Sequence, residues 1–137
     1  MSFNEEEIAY LRSQQLARFA TTSGDGQPDV VPVGFEFDGS DFYVGGLDLP
    51  STRKYRNVTA GNELVALVVD DLAAMTPWTP RFVRVYGTAS VVQRDGESAE
   101  TLKITPTVSW SWNLEGRGFP EAGNFKPRKS VHGEQEV

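Results

Sequence analysis

Cysteine is absent from the chain, and histidine occurs once, as His132. Without cysteine there is no disulfide framework and no thiol nucleophile. One imidazole without thiolates leaves a zinc or other transition-metal site short of its usual ligands, and it argues against Ser-His or Cys-His catalysis. Long apolar runs are missing too. Nothing approaches the roughly 20 residues of a membrane span. The acidic start Met1-Ser2-Phe3-Asn4-Glu5 is not a secretion signal, so the expected location is the cytoplasm, with no membrane partner. Positive charge is scarce: 13 Lys and Arg stand against 19 Asp and Glu, a formal charge of −6. A pI near 4.8 argues against nucleic acid as the main partner. What is present, 137 residues of which 39% are hydrophobic, suffices for one domain with a real core. If such a chain is an enzyme, a borrowed cofactor does the chemistry.

Against that scarcity, Ser51-Thr52-Arg53-Lys54-Tyr55-Arg56-Asn57-Val58 crowds three basic side chains into one short stretch. Pro50 followed by Ser51 and Thr52 is a helix-start signal. A helix start exposes free backbone N–H groups and the positive end of the peptide dipole, which favour anions. Arg53 as a planar fork and Lys54 as a mobile point charge would complete a phosphate clamp. A short surface helix with ordinary solvated charges explains the same letters.

Taken in order, the chain opens with a helix over residues 3–15. Asn4 is its N-cap, Glu7 stands in capping-box position, and Ile8, Leu11 and Gln15 mark its inner face. From Leu16 the period changes to alternation, a strand. Ser23-Gly24-Asp25-Gly26 is a turn, a second strand carries Val31, Val33, Phe35 and Phe37, and Asp38-Gly39 leads into Phe42-Tyr43-Val44. Gly45-Gly46 delivers the chain to the basic helix, which ends near Ala60-Gly61. Glu63–Val69 is a near-continuous apolar strand, expected where both faces are covered, and Asp70-Asp71 ends it. A Pro-rich loop through Trp78 and Arg81 precedes an alternating strand, Phe82 to Val92. A last strand runs from about Leu102 to Leu114, with Ile104, Val108, Trp110 and Trp112 as its apolar set; Pro106 signals an edge or a bulge. Trp110 and Trp112 suit the core first, an interface second. Residues 115–137 lose periodicity and read as an irregular tail, disordered by default. The expected architecture is one mainly β domain, residues 1–114: a small split barrel of about six antiparallel strands with two short helices.

Several stretches resemble the split-barrel flavin and deazaflavin proteins of the pyridoxamine-phosphate-oxidase-like superfamily, in particular the F420-dependent, tetracycline-reductase-like members. The matching words are Pro32-Val33-Gly34-Phe35, Gly45-Gly46, Thr52 to Val58, Val68-Val69-Asp70-Asp71, Pro77 to Arg81, Val85 to Ala89, and Ile104-Thr105-Pro106 with Val108-Ser109-Trp110. The resemblance implies that Ser51, Thr52, Arg53 and Lys54 hold a cofactor phosphate. It implies that the flat ring lies along Val31, Pro32 and Val33, and that Asn57 and Val58 pack the helix. Trp78 and Arg81, from a neighbouring subunit, would close over the other end of the cofactor; a loop anchored by one buried Trp is the plainer alternative. It further implies a homodimer with sites at the interface, F420 or alternatively FMN as cofactor, and hydride transfer to a conjugated small molecule. A cofactor-binding protein without catalysis is the rival. No proton donor is singled out between Tyr55, Tyr86 and bound water. Two departures stand out: Gln93–Thr101 leaves little more than a turn where many relatives carry a helix, and the tail beyond Leu114 matches nothing in the pattern.

Overall fold

The computed structural model describes residues 2–94, 96–118 and 126–133. Helix α1 (Glu5–Ser13) begins with the expected reciprocal cap: the Glu7 amide donates to Asn4 Oδ1 at 2.7 Å, and the Asn4 amide donates to Glu7 Oε1 at 2.9 Å. Its buried side chains are Glu7, Tyr10 and Leu11, with Ile8 only partly buried and Gln15 outside the helix. The strands are β1 (Leu16–Thr22), β2 (Pro28–Gly34), β3 (Glu36–Phe37), β4 (Phe42–Val44), β5 (Leu64–Ala74), β6 (Thr79–Val92), β7 (Thr101–Trp112) and β8 (Arg128–Val131). A single 3-10 turn (Leu49–Ser51) and helix α2 (Arg53–Thr59) lie between β4 and β5.

Every strand pairing is antiparallel, in the order β2-β1-β5-β6-β7-β4-β3. The two ends of this order, β2 and β3, are consecutive in the chain and joined through Phe35. The sheet therefore curls until its ends meet, which makes a split barrel. Inside it Phe42 packs against Phe3, Phe35 and Phe37 with ring centroids 4.8–6.0 Å apart. Leu11, Phe19, Leu67, Leu102 and Ile104 fill the rest.

Four expectations are corrected here. The second strand breaks at Phe35, giving β2 and β3 where one was expected. Strand β5 does not end at Asp70-Asp71 but continues to Ala74, because Arg81 on β6 pairs with Asp71 across the ladder and makes its charge tolerable there. Only one face of β5 is covered: Val65, Leu67 and Val69 are buried, whereas Leu64 is 78% exposed. Trp110 and Trp112 are not core. The ladder between β6 and β7 skips a residue between Tyr86↔Val108 and Gly87↔Pro106. This bulge, at the place Pro106 signalled, reverses which residues face inward. Leu102 and Ile104 are buried before it, Ser109 and Ser111 after it, and the tryptophans turn outward. Gly87 is required at that point, since a Cβ there would lie 2.5 Å from the Thr105 carbonyl oxygen.

The segment read as irregular tail contains β8, which pairs with residues 108–111 of β7, while β4 pairs with 102–104 of the same edge. Two short strands thus share one long partner. Strand β8 brings polar groups inward. Arg128 Nη1 reaches both carboxylate oxygens of Glu7 at 2.9 and 3.0 Å, and Ser111 donates to Glu7 Oε2 at 2.5 Å. His132 is buried rather than in a polar tail, with Nε2 2.8 Å from Ser109 Oγ and its ring 4.5 Å from that of Phe3. Ser109 is fully buried, so this Ser-His pair has no access to substrate and serves packing.

Burial holds the His132 imidazole below its ordinary pKa of 6.5. The fold therefore prefers the neutral ring, and the unfolded chain takes up its proton first as the medium acidifies. Stability contributed this way is fully present above about pH 6.5 and is lost as pH falls below it, at up to about 1.4 kcal/mol per pH unit. Urea midpoints measured between pH 7.5 and 5.5 should fall accordingly, and His132→Gln should flatten that slope. An unchanged slope in the variant would show that the ring titrates as it does in water.

Candidate cofactor site

The turn that leads into α2 is shaped by Thr52. Its hydroxyl donates to the Leu49 carbonyl at 2.7 Å and accepts from the Tyr55 amide at 3.3 Å, and its own amide also donates to Leu49. Both of its protons are committed, so Thr52 fixes the loop. The Arg53 and Lys54 amides have no backbone partner among the described residues and are the open donors of the first turn. Asn57 Nδ2 donates to Thr21 Oγ1 at 2.9 Å, and Val58 is buried, which pins α2 to β1. The packing role expected for these two residues is thus seen.

Three cations crowd this turn and the helix that follows it. Arg18, Arg81, Arg94, Lys103 and Arg128 each pair with a carboxylate. Among the described residues no carboxylate pairs with Arg53, Lys54 or Arg56. Arg53 is exposed, Lys54 half-buried and Ser51 exposed. A protein with excess negative charge thus leaves its cationic helix start unneutralised and open, as an anion site requires.

Strand β2 ends the sheet, with β1 as its one partner among the described residues. Val33 is buried and Val31 partly so, whereas Pro32 points outward and is exposed. Val31 and Val33 thus belong to the core, leaving backbone and Pro32 for a ligand. Beyond β2 a hollow of about 280 Å³ is lined by Gly34, Phe35, Glu36, Tyr43, Gly45 and Gly46. It lies between the end of β2 and the segment that runs into the clamp. One wall is braced by Arg94, which pairs with Glu36 at 2.7 Å and lies 4.3 Å above the Tyr43 ring. Glu36, Tyr43 and Arg94 were not singled out from sequence; the pair Gly45-Gly46, which leaves the hollow open, was the one local signal.

Trp78 and Arg81 stand apart from the clamp. Arg81 donates twice to Asp71, at 2.8 and 3.0 Å, and lies 5.0 Å over the Tyr10 ring; the Tyr10 hydroxyl donates to Asp71 at 2.8 Å. The Arg81 hydrogen bond holds the Asp71 carboxyl below its ordinary range, and burial with Asp71 beside it pushes the Tyr10 phenol up. Arg81 stitches α1 to the β5–β6 ladder. Trp78 is 55% exposed, not buried. Helix α2 leads into β5 where Leu64 pairs with Thr88, at the other end of β6. The intervening residues of β6 span roughly 25 Å at about 3.3 Å each. Within one copy, Arg81 thus lies at the opposite end of β6 from the entry of α2 into β5.

A mainly β split barrel with a cationic turn after its fourth strand defines a class, and the chain matches the model of the pyridoxamine 5'-phosphate oxidase family over residues 3–128. The protein belongs to that family. It is 38% identical over 124 residues to a 5a,11a-dehydrotetracycline/5a,11a-dehydrooxytetracycline reductase of Streptomyces rimosus subsp. rimosus, covering 85% of this chain and 87% of that one. Among solved structures it is similar to an F420 reductase (22% identity, TM-score 0.62, 78% and 98% of the two chains). It is also similar to a conserved hypothetical protein of Mycobacterium tuberculosis (20% identity, TM-score 0.66, 97% and 94%). A FAD binding protein of Mycobacterium smegmatis is comparable (20% identity, TM-score 0.61, 80% and 93%). These structural likenesses show the fold. No helix among the described residues is long and apolar enough to cross a membrane, and no group of three or more His, Asp or Glu among them is arranged to hold a metal ion.

Proposed function

We propose that the protein is an oxidoreductase that uses the deazaflavin F420 to reduce a conjugated small molecule. The observation that carries this reading is the unneutralised pair Arg53 and Lys54 at the start of α2, in a chain 38% identical to a dehydrotetracycline reductase. The residues present fit a phosphate-bearing ring cofactor. Open cations and free amides stand at the turn, and a hollow beside it is lined by Gly34, Gly45 and Gly46. In this reading Arg53 and Lys54 hold the phosphate, Ser51 adds a hydroxyl, and the backbone of Val31, Pro32 and Val33 faces the ring. Bound there, the reduced deazaflavin supplies a hydride to an electron-poor carbon. The chain itself binds, orients and excludes water. In this reading Trp78 and Arg81 join the site from a second copy, since in their own they lie at the opposite end of β6 from the entry of α2 into β5, and the protein is a homodimer with sites at its interface. Tyr55 is a poor proton donor here, because its hydroxyl is held by Glu100 at 2.8 Å and its pKa is raised by that bond.

FMN is the second reading, favoured by the likeness to a FAD binding protein. Titration of cofactor-free protein with F420 and, separately, FMN, followed by ligand fluorescence, decides between them. The expected result is at least tenfold tighter binding of F420. Preference for FMN would move the protein to the flavin branch, and substrate-dependent oxidation of the reduced cofactor would separate a catalyst from a carrier.

A further inference from the structure

We propose that residues 45–48 form a strap that closes Leu47 over a flat ring ligand seated in the hollow beside the clamp. The inference rests on reading that hollow as part of a cofactor site, and it adds the side chain that covers the ligand.

The strap lies between two fixed ends. Val44 is fully buried on β4 and pairs with Leu102 of β7. Leu49 is buried, and its carbonyl accepts from both the amide and the hydroxyl of Thr52. Between these anchors the backbone of Gly45, Gly46 and Leu47 makes no hydrogen bond among the described residues. Gly46 has a φ of 144°, a conformation left to glycine. Asp48 takes a left-handed φ of 54° with no side-chain hydrogen bond to hold it there. Two glycines and an unsupported left-handed residue make a short hinge with little to resist rotation.

Leu47 is what the hinge carries, and its side chain is 98% exposed. Single exposed leucines are ordinary on protein surfaces, but this one stands at the mouth of a cavity. Gly45 and Gly46 line the hollow of about 280 Å³. Adjacent Cα atoms stand about 3.8 Å apart, so Leu47 lies at its rim. A Cβ built on Gly45 or Gly46 meets no atom within 4 Å, so neither glycine answers to crowding by the protein itself. The room they leave belongs to the hollow. A branched aliphatic side chain brings neither a hydrogen bond nor a charge; on closing it adds contact with an apolar face and expels water. The ligand that suits it is therefore a flat ring with its polar groups at the edge. A bare phosphate on Arg53 and Lys54 gives it nothing to cover. A second copy is the less suitable occupant, because one leucine between Gly46 and the exposed Asp48 is a small patch for a subunit contact.

The test uses the full chain, with F420 release followed by stopped-flow fluorescence and backbone amide exchange measured with and without ligand. Leu47→Ser should release F420 about tenfold faster, the effect of leaving a leucine's contact unmade. Its association rate should stay within about twofold of the parent's, since the strap closes after encounter. Leu47→Met should restore slow release. The amides of residues 46–48 should exchange about tenfold more slowly with F420 bound than with inorganic phosphate bound. The proposal is overturned if Leu47→Ser releases F420 as the parent does, or if F420 leaves exchange at residues 46–48 unchanged. It is equally overturned if light scattering finds Leu47→Ser monomeric where the parent is dimeric, which gives Leu47 to a subunit contact. Binding of F420 with residues 46–48 unprotected sinks the strap alone. Protection by FMN, with no binding of F420, sinks the deazaflavin reading and leaves the strap standing. A chain that binds neither ring overturns both.

Discussion

Replacing Arg53 and Lys54 together by alanine should abolish cofactor binding at micromolar concentrations while leaving the fold intact. Each side chain is positioned for a charge-assisted contact with phosphate, worth roughly 1.5–3 kcal/mol, or about ten- to a hundredfold in affinity. The pair acts on one group, so the combined loss is on the order of a hundredfold or more, short of strict additivity. Arg53→Ala alone should cost more than Lys54→Ala, because a guanidinium offers phosphate two parallel donors and an ammonium one moving charge. Stability should change by less than about 0.5 kcal/mol, since neither side chain has an ionic partner among the described residues and Arg53 is exposed. F420 titration with a thermal melt on the same samples measures both. Binding equal to the parent's would remove the clamp assignment, and a collapsed melt would mean that the turn holds the barrel together.

The largest effect on stability is expected at Arg128. Glu7 is 1% exposed, and its charge is matched by Arg128 alone among the described cations, with the Ser111 hydroxyl and the Asn4 amide completing its shell. Removing one partner of such a pair leaves an uncompensated buried charge, typically a loss of 3–5 kcal/mol. Arg128 itself is 42% exposed, so part of its interaction is already screened by water and the lower end applies. Arg128→Ala should therefore cost about 3 kcal/mol, lowering Tm by roughly 10 °C. The double variant Glu7→Gln/Arg128→Ala should recover much of this, because a neutral amide needs no counter-charge. If Arg128→Ala melts within about 2 °C of the parent, the carboxylate finds water or a proton instead.

The architecture was legible in sequence where local signals and periodicity agree. The Asn4–Glu7 cap, the alternation of β1 and β6, and the Gly61 stop after α2 all carry their geometry in neighbouring residues. Long-range matters were not legible. Period-two reading put Trp110 and Trp112 on the side of Ile104, because one skipped residue at the bulge is invisible until β6 is laid beside β7. Strand β8 was missed for the same reason: Arg128-Lys129-Ser130-Val131 looks like a polar tail until Glu7, Ser109 and Ser111 are seen waiting for it. At the candidate site the cations of α2 were visible as composition. That they stand unpaired, that Arg81 is tied to Asp71, and that Val31 and Val33 point inward depend on what the fold places beside each.

The bond between Glu7 and Arg128 joins residues 121 positions apart. Translation at roughly 5–20 residues per second puts about 6–24 s between their synthesis. Helix α1 can form within microseconds of emerging, since its cap is local. Its carboxylate cannot leave water until β8 arrives, so the nascent chain must hold α1 undocked, or docked at a cost, for seconds. Strand β8, made long after α1, is thus the one that licenses that helix to settle.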